Sequence, residues 1–293
     1  MPYKYTIFAK KSLSSHTMKI LITNDDGYKA QGIHVLARVM SQFGDITVVA
    51  PKFHQSAMST AVSLGVKQLA YKDLQPGKHG PGSWTYLDAT PASCVKFGLE
   101  FKFENRDPDL VVTGINHGTN ASTAANYSAT LGAAEEAVIN GCKAIGVSLC
   151  DFRSDADFSA VEALLPGIMK KLLDNWPKDY PGLYYNINFP AIPLEEIKGI
   201  KVARQGLGHW IKEFEPWDEN SLGVLNDSFL WQHYRVNLEE GEKAVFMRGT
   251  FVNDDTHPET ADHLLLEEGW VTIVPFTTHL TDETEFRRLS SLL

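Results

Sequence analysis

The chain has 293 residues, 43% of them hydrophobic and 22% charged, enough for one large domain, or a core domain plus an extension, around a sizeable buried core. A formal net charge of -9 excludes a general nucleic-acid or anionic-membrane surface, though not a small anionic substrate held by local positive charge. No run approaches the roughly 18 apolar residues that span a bilayer, and three cysteines (Cys94, Cys142, Cys150) without CxxC spacing read as free thiols in a reducing compartment.

Met1 to Thr17 carries Lys4, Lys10 and Lys11 around a short apolar patch, without the h-region or cleavage site of a signal peptide. The first convincing strand starts right after Met18. Residues 1–17 are therefore read as an extension, upstream of the natural start or poorly ordered, and the cytoplasm as the compartment. From Met18 strand-like and helix-like segments alternate. Lys19 to Asn24 is a β-rich run, and Ile33 to Phe43 places Ile33, Leu36, Ala37, Met40 and Phe43 at helical spacing. Ile46 to Ala50 is a second apolar strand, ended by Pro51. A short strand over Trp84 to Leu87 precedes a helix opening at Thr90-Pro91, where Thr caps and Pro takes the first turn. Asp109 to Ile115 (strand), Thr130 to Asn140 (helix), Ala144 to Leu149 (strand), Phe158 to Trp176 (helix) and Leu183 to Phe189 (strand) continue the order. Such alternation predicts an α/β fold with a mostly parallel sheet wrapped by helices, a core spanning residues 18–203. Beyond about Arg204 the pattern weakens. Residues 204–293 are read as a C-terminal extension: a hairpin-like excursion used between subunits, with pieces at Phe229 to Val236 and Ala244 to Phe251, then a returning strand from Trp270 to Phe276.

In open parallel sheets, ligands bind outside the carboxyl ends of the strands. Three apolar strands here run straight into polar clusters at that end: Asn24-Asp25-Asp26-Gly27, His54-Gln55-Ser56-Ala57-Met58-Ser59, and Thr113-Gly114-Ile115-Asn116-His117-Gly118-Thr119-Asn120. The Asp25-Asp26 doublet has two readings. It is a surface turn built from turn formers, or a pair of repelling carboxylates that a cation relieves. Asp25, Asp26, the Ser56 hydroxyl and the Asn116 carbonyl together form an all-oxygen donor set, which suits Mg²⁺, Mn²⁺ or Ca²⁺ rather than structural zinc. Asn120 adds a neutral donor. Tyr127-Ser128-Ala129-Thr130 opens a helix, where Ser128 and Thr130 either cap it or help its N-terminus hold a phosphate. His54 and His117 read as polar loop residues, Glu135 and Glu136 as an exposed helix face, and the aromatic residues at 210, 217 and 231 as packing or interface.

These motifs, in this order and spacing from Met18 to about Leu149 and again near Glu268-Gly269-Trp270-Val271-Thr272-Ile273-Val274-Pro275, closely resemble the SurE survival-protein family. The resemblance implies a Rossmann-like three-layer core and a metal-dependent phosphomonoesterase acting on nucleoside 5'- and 3'-monophosphates, in some members on short polyphosphate. It implies one divalent ion per subunit on Asp25, Asp26, Ser56 and Asn116, with Asn120, Ser128 and Thr130 around the substrate phosphate. It also implies a homodimer or homotetramer assembled through the C-terminal segment. Local departures are Ala129 and Ala89 where the family often has Gly, and Ser93 where it often has Asp. The attacking group is either a metal-activated water or Asp25 itself. Two rivals come from other classes. One is a phosphoacceptor signalling module, which also carries an acidic pair after its first strand but wants a late Lys where Cys150-Asp151 stands. The other is a non-catalytic nucleotide-binding or assembly protein.

Overall fold

The computed structural model describes residues 17–65, 68–217, 237–247 and 249–293. Residues 1–16 of the expected extension, the strand expected over Phe229 to Val236, and Trp231 lie outside the described residues.

Each strand read from the apolar runs up to Phe189 forms. In chain order these are β1 (Met18–Thr23), β2 (Gly44–Pro51), β4 (Ser83–Leu87), β5 (Leu110–His117), β6 (Ala144–Leu149) and β7 (Leu183–Phe189). They lie side by side as β4-β2-β1-β5-β6-β7, all parallel, the order of a doubly wound sheet. A short strand β3 (Tyr71–Asp73) adds antiparallel to one edge. It is exposed at every residue, so no apolar pattern marks it in the sequence.

Both sheet faces are covered. Period-two alternation sends Ile20, Ile22, Val48 and Val112 to one side, and Leu21, Val49 and Val111 to the other. The first face receives α1 (Gln31–Met40) and α4 (Ser159–Asp174) through Ile33, Leu36, Met40, Val161, Leu165 and Met169. The second receives α2 (Pro91–Phe101) and α3 (Ala129–Ile139) through Val95, Leu99, Leu131 and Ala134. Ile20, Leu21 and Ile22 are wholly buried, each stabilising the fold by roughly 1.5–3 kcal/mol. A one-residue slip would swap their faces, so the register that places the strand ends is strongly specified. Gly32, in the first turn of α1, sits so close to β5 that a Cβ would lie 2.1 Å from the Ile115 carbonyl oxygen.

One sequence expectation changes. Glu136 does not solvate an exposed face: α2 packs against α3, and Glu136 is buried with the Lys96 ammonium 2.6 Å away. The expected returning strand forms as β13 (Trp270–Thr277) and joins the core sheet antiparallel to β7. With β8 (Gly199–Val202) beyond it, this sheet has nine strands among the described residues. Between β8 and β13 along the chain lie two small antiparallel pairs. They are β9 (Gly208–Ile211) with β12 (Thr250–Asn253), and β10 (Phe214–Pro216) with β11 (Val245–Met247). The short α5 (Asp262–Glu267) precedes β13, and α6 (Glu283–Ser290), with no buried residue, lies near the C-terminus.

Candidate active site

The direction of winding reverses between β1 and β5, so the carboxyl ends of these two strands flank the crevice of the sheet. A cavity of about 1240 Å³ opens there, and Asp25, Asp26, Ser56, Asn116, Asn120 and Ser128 all lie on its wall.

The doublet is a turn and a repelling pair at once. Asn24 Nδ2 donates to the Gly27 carbonyl (3.0 Å), closing a turn in which Gly27 takes φ +94°, a conformation that side chains disfavour. The Gln55 N–H donates to the Asp25 carbonyl (2.7 Å), tying the loop that carries the exposed Ser56 to the doublet. Within this turn Asp25 is buried, and its Oδ1 accepts from Thr130 Oγ1 at 2.6 Å. Burial first, and the Asp26 charge second, push the Asp25 carboxyl from the usual 3.8 up to about 7. Asp26 Oδ2 accepts from the His117 N–H at 3.1 Å, and its Oδ1 lies 3.4 Å from His54 Nδ1. For His54, burial opposes the charged ring, but the Asp26 hydrogen bond and the two carboxylates outweigh it and raise its pKa.

The opposite wall is neutral. β5 bulges between Thr113 and Asn116, which re-aims the residues after it. Asn116 Nδ2 donates to the Gly118 carbonyl (2.9 Å), leaving the Asn116 carbonyl oxygen for the cavity. Asn120 is held by a closed ring of hydrogen bonds. Its N–H donates to Asn188 Oδ1 (2.9 Å), Asn188 Nδ2 to Asn186 Oδ1 (3.0 Å), and Asn186 Nδ2 to the Asn120 carbonyl (2.8 Å). Asn120 Nδ2 spends one proton on Ser148 Oγ (2.8 Å) and keeps a second. Ser128 caps α3 by accepting from the Leu131 N–H (3.1 Å), so its own hydroxyl proton can serve another acceptor. Ala129 is the wholly buried first residue of that helix.

Thr130 stands apart from the other residues expected around a phosphate. It is fully buried behind the cavity wall, and its hydroxyl goes to Asp25. His117 turns its Nδ1 to the Arg153 carbonyl (3.1 Å). Sequence reasoning does not find Lys29, Lys52, Phe53, Phe152 and Met247, which also line the wall. It misses the Asn186/Asn188 pair too, although a signal is there: two amides, two residues apart on one face of an otherwise apolar strand.

A hard cation fits this donor set. Two adjacent carboxyls repel each other in a largely buried place, and the neutral oxygens of Asn116 and Ser56 line the same cavity. Among the described residues no three His, Cys, Asp or Glu side chains gather into a cage of the kind that zinc takes. Nor is any helix among them long and apolar enough to cross a membrane.

Comparison with known proteins gives three kinds of likeness. A family model described as survival protein SurE matches residues 20–212. The 5'-nucleotidase SurE of Cytophaga hutchinsonii is 39% identical over 263 residues, covering 89% of this chain and 92% of that protein. That of Christiangramia forsetii is 39% identical over 277 residues, covering 93% and 95%. The crystal structure of the SurE protein from Aquifex aeolicus superposes with a TM-score of 0.71 at 27% identity, covering 93% of this chain and 98% of that one.

Proposed function

The chain belongs to the SurE family, and from that premise we propose that it is a metal-dependent 5'-nucleotidase whose active site is the cavity between β1 and β5. The observation that carries this reading is convergence: polar residues from three strand ends and one helix start line a single cavity. A phosphomonoester needs cationic charge to enter beside Asp25 and Asp26, and donors to hold its remaining oxygens.

Asp25, Asp26, Ser56 and Asn116 would hold one divalent ion per subunit (Mg²⁺ or Mn²⁺, with Ca²⁺ also suited to the oxygen set). When bound, such an ion supplies positive charge that offsets the charge on the transferring phosphoryl group and acidifies a water. Thr130 fixes Asp25 by occupying one carboxyl oxygen, which aims the other. The second Asn120 amide proton, the Ser128 hydroxyl and the α3 N-terminus donate to the phosphate oxygens. In this reading a water oriented by Asp25 attacks phosphorus in line as the bond to the nucleoside oxygen breaks, and one water proton passes to that leaving oxygen, so that nucleoside and inorganic phosphate are released. A phosphate trapped on Asp25 by quenching would replace the water with direct attack.

The cavity's breadth, with Lys29 and Lys52 on its wall, supports 3'-monophosphates and short polyphosphate as further substrates. The exposed apolar side chains of the small β-pairs, Phe214, Val245 and Met247, support assembly of a homodimer or homotetramer through the C-terminal segment. Free Cys94, Cys142 and Cys150 accord with the cytoplasm. The test is phosphate release from 5'-AMP, 3'-AMP and tripolyphosphate with Mg²⁺, Mn²⁺, Ca²⁺ or a chelator. The reading expects metal-dependent turnover of 5'-AMP. It is overturned by no turnover with any metal, or by full activity after Asp25→Ala or Asn116→Ala.

A further inference from the structure

Asp262 opens α5, far along the chain from the cavity residues, yet it is wholly buried against the loop that joins Asn120 to Ser128. Its Oδ1 accepts from three backbone N–H groups: Ser122 (2.9 Å), Gly206 (2.9 Å) and His263 (2.8 Å). Its Oδ2 is buried with no hydrogen-bond partner. One oxygen therefore does the holding, and it gathers three stretches of backbone.

The stretch that matters for the cavity is the one at Ser122. This residue takes φ +53° at the start of the 3₁₀ turn Ser122–Tyr127, which leads directly into Ser128. A residue with a side chain keeps such a backbone only where its surroundings over-determine it. Here Asp262 holds the Ser122 N–H, and Gln205 Nε2 holds the Ser122 carbonyl (3.1 Å). Gln205 Nε2 also reaches Asn126 Oδ1 (3.0 Å), and Thr123 Oγ1 donates to the Gly208 carbonyl. The two ends of the gripped loop, Asn120 and Ser128, are on the cavity wall.

We infer that Asp262 is a positioning residue for phosphate recognition: its single acceptor oxygen, seconded by Gln205, sets the loop that aims Asn120 and Ser128. The inference rests on the phosphatase reading above for what those two residues bind. Because Asp25, Asp26 and Asn116 stand on the ends of β1 and β5, ahead of this loop, and the Ser56 loop has its own tie to the doublet through Gln55, loss of Asp262 should separate phosphate binding from metal binding.

The test compares wild type with Asp262→Ala, Asp262→Asn and Gln205→Ala. Three quantities are measured: kcat and KM for 5'-AMP, the inhibition constant of inorganic phosphate, and Mn²⁺ affinity by calorimetry. Asp262→Ala is expected to lower kcat and weaken phosphate about tenfold or more, the scale of a slightly misplaced group, with Mn²⁺ affinity within about twofold of wild type. Asp262→Asn keeps the acceptor oxygen and is expected to restore both to within about threefold, the worth of part of one hydrogen bond. Gln205→Ala, at a part-buried side chain, is expected to weaken phosphate about threefold. A folded Asp262→Ala with wild-type phosphate inhibition overturns the inference. So does an Asp262→Asn variant as impaired as Asp262→Ala, or Mn²⁺ affinity that falls in step with phosphate. Should Asp262→Ala not fold, an unchanged inhibition constant in Gln205→Ala overturns it. Wild type that binds phosphate and Mn²⁺ but does not turn over 5'-AMP counts against the nucleotidase reading alone, and the pattern of inhibition constants still decides Asp262.

Discussion

The two walls of the cavity hold their polar atoms by opposite means. On the β1 wall, Asp25 and Asp26 are adjacent acids, and burial with mutual repulsion lifts Asp25 well out of the carboxylate range. On the β5 wall, Asn116 and Asn120 are neutral, and their amides are tied into hydrogen bonds with Gly118, Ser148, Asn186 and Asn188. A wall of adjacent acids, only partly offset by His54 and Thr130, favours a cation. A neutral wall with donors already fixed receives an anion without having to reorganise. The loop after β2 joins them: Gln55 bonds to Asp25, while the Ser59 N–H donates to the Tyr127 carbonyl (3.1 Å) and Ser59 Oγ to the Asn126 carbonyl (3.0 Å). The contrast predicts that substitutions at Asp25 and Asp26 act on metal and those at Asn120 and Ser128 on phosphate, with Asn116 alone on the neutral wall siding with the acids through its carbonyl oxygen.

The largest effect should come from the charged wall. Asp25→Ala is expected to lower turnover about 10³-fold or more, because the cation's charge stabilisation goes with it. The same contrast gives a stability signature that needs no substrate. The Asp25 carboxyl, raised from the usual 3.8 to about 7 in the folded chain, costs stability progressively as the pH climbs between those two values, and the cost is complete above about 7. Asp25→Asn removes it, so without metal at about pH 8 the variant's Tm should exceed that of wild type. Mn²⁺ should then raise the wild-type Tm and leave the variant's unmoved. A variant still stabilised by Mn²⁺ to the wild-type extent would break the contrast. On the neutral wall, Ser128→Ala and Asn120→Ala should weaken inhibition by inorganic phosphate about 10–100-fold, with Mn²⁺ affinity preserved. Asn120→Ala also strands Ser148, its partner on β6, at a cost of about 1–3 kcal/mol, so its Tm should fall further than that of Ser128→Ala.

Legibility follows the same division. Asp25-Asp26, Ser56 and Asn116 are readable because each follows a buried apolar run that marks where the carboxyl edge of the sheet begins. The succession of strands from β1 to β7 is readable for the same reason, the exposed β3 excepted. Glu136 is misread because an Ala/Glu-rich helix looks solvated until its neighbour is known, and the Lys96 that pairs with it sits on α2, in no local pattern with it. The partners of the Asn186/Asn188 pair and the grip of Asp262 on Ser122 escape a reading of the sequence, since both are long-range bonds. Local periodicity reports which face a residue takes, and says nothing about which distant backbone group it meets there.

Thr130 tests the boundary between the walls. The resemblance puts it beside the phosphate, whereas the structure sends its hydroxyl to Asp25. If Asp25 is its partner in function too, Thr130→Val should weaken Mn²⁺ about tenfold, as loss of a ligand's outer partner does, and leave phosphate inhibition unchanged. The reverse pattern would return Thr130 to the phosphate side.

The smallest effect concerns the loop that joins the walls. Ala57, next to Ser56, is exposed and takes φ +59°, where a Cβ crowds its own backbone. Glycine removes that crowding and adds chain entropy to the unfolded state, so the two terms oppose each other. The steric term is the larger at positive φ, and Ala57→Gly should stabilise by about 0.5–1 kcal/mol, a rise in Tm of about one to three degrees. Gln55 and Ser59 are anchored on either side, to Asp25 and to Tyr127. Ser56 should therefore keep its place, and turnover should stay within about twofold of wild type. A clear loss of Mn²⁺ affinity with the Tm gain would mean that the strained alanine, and not the anchors, holds Ser56 against the doublet.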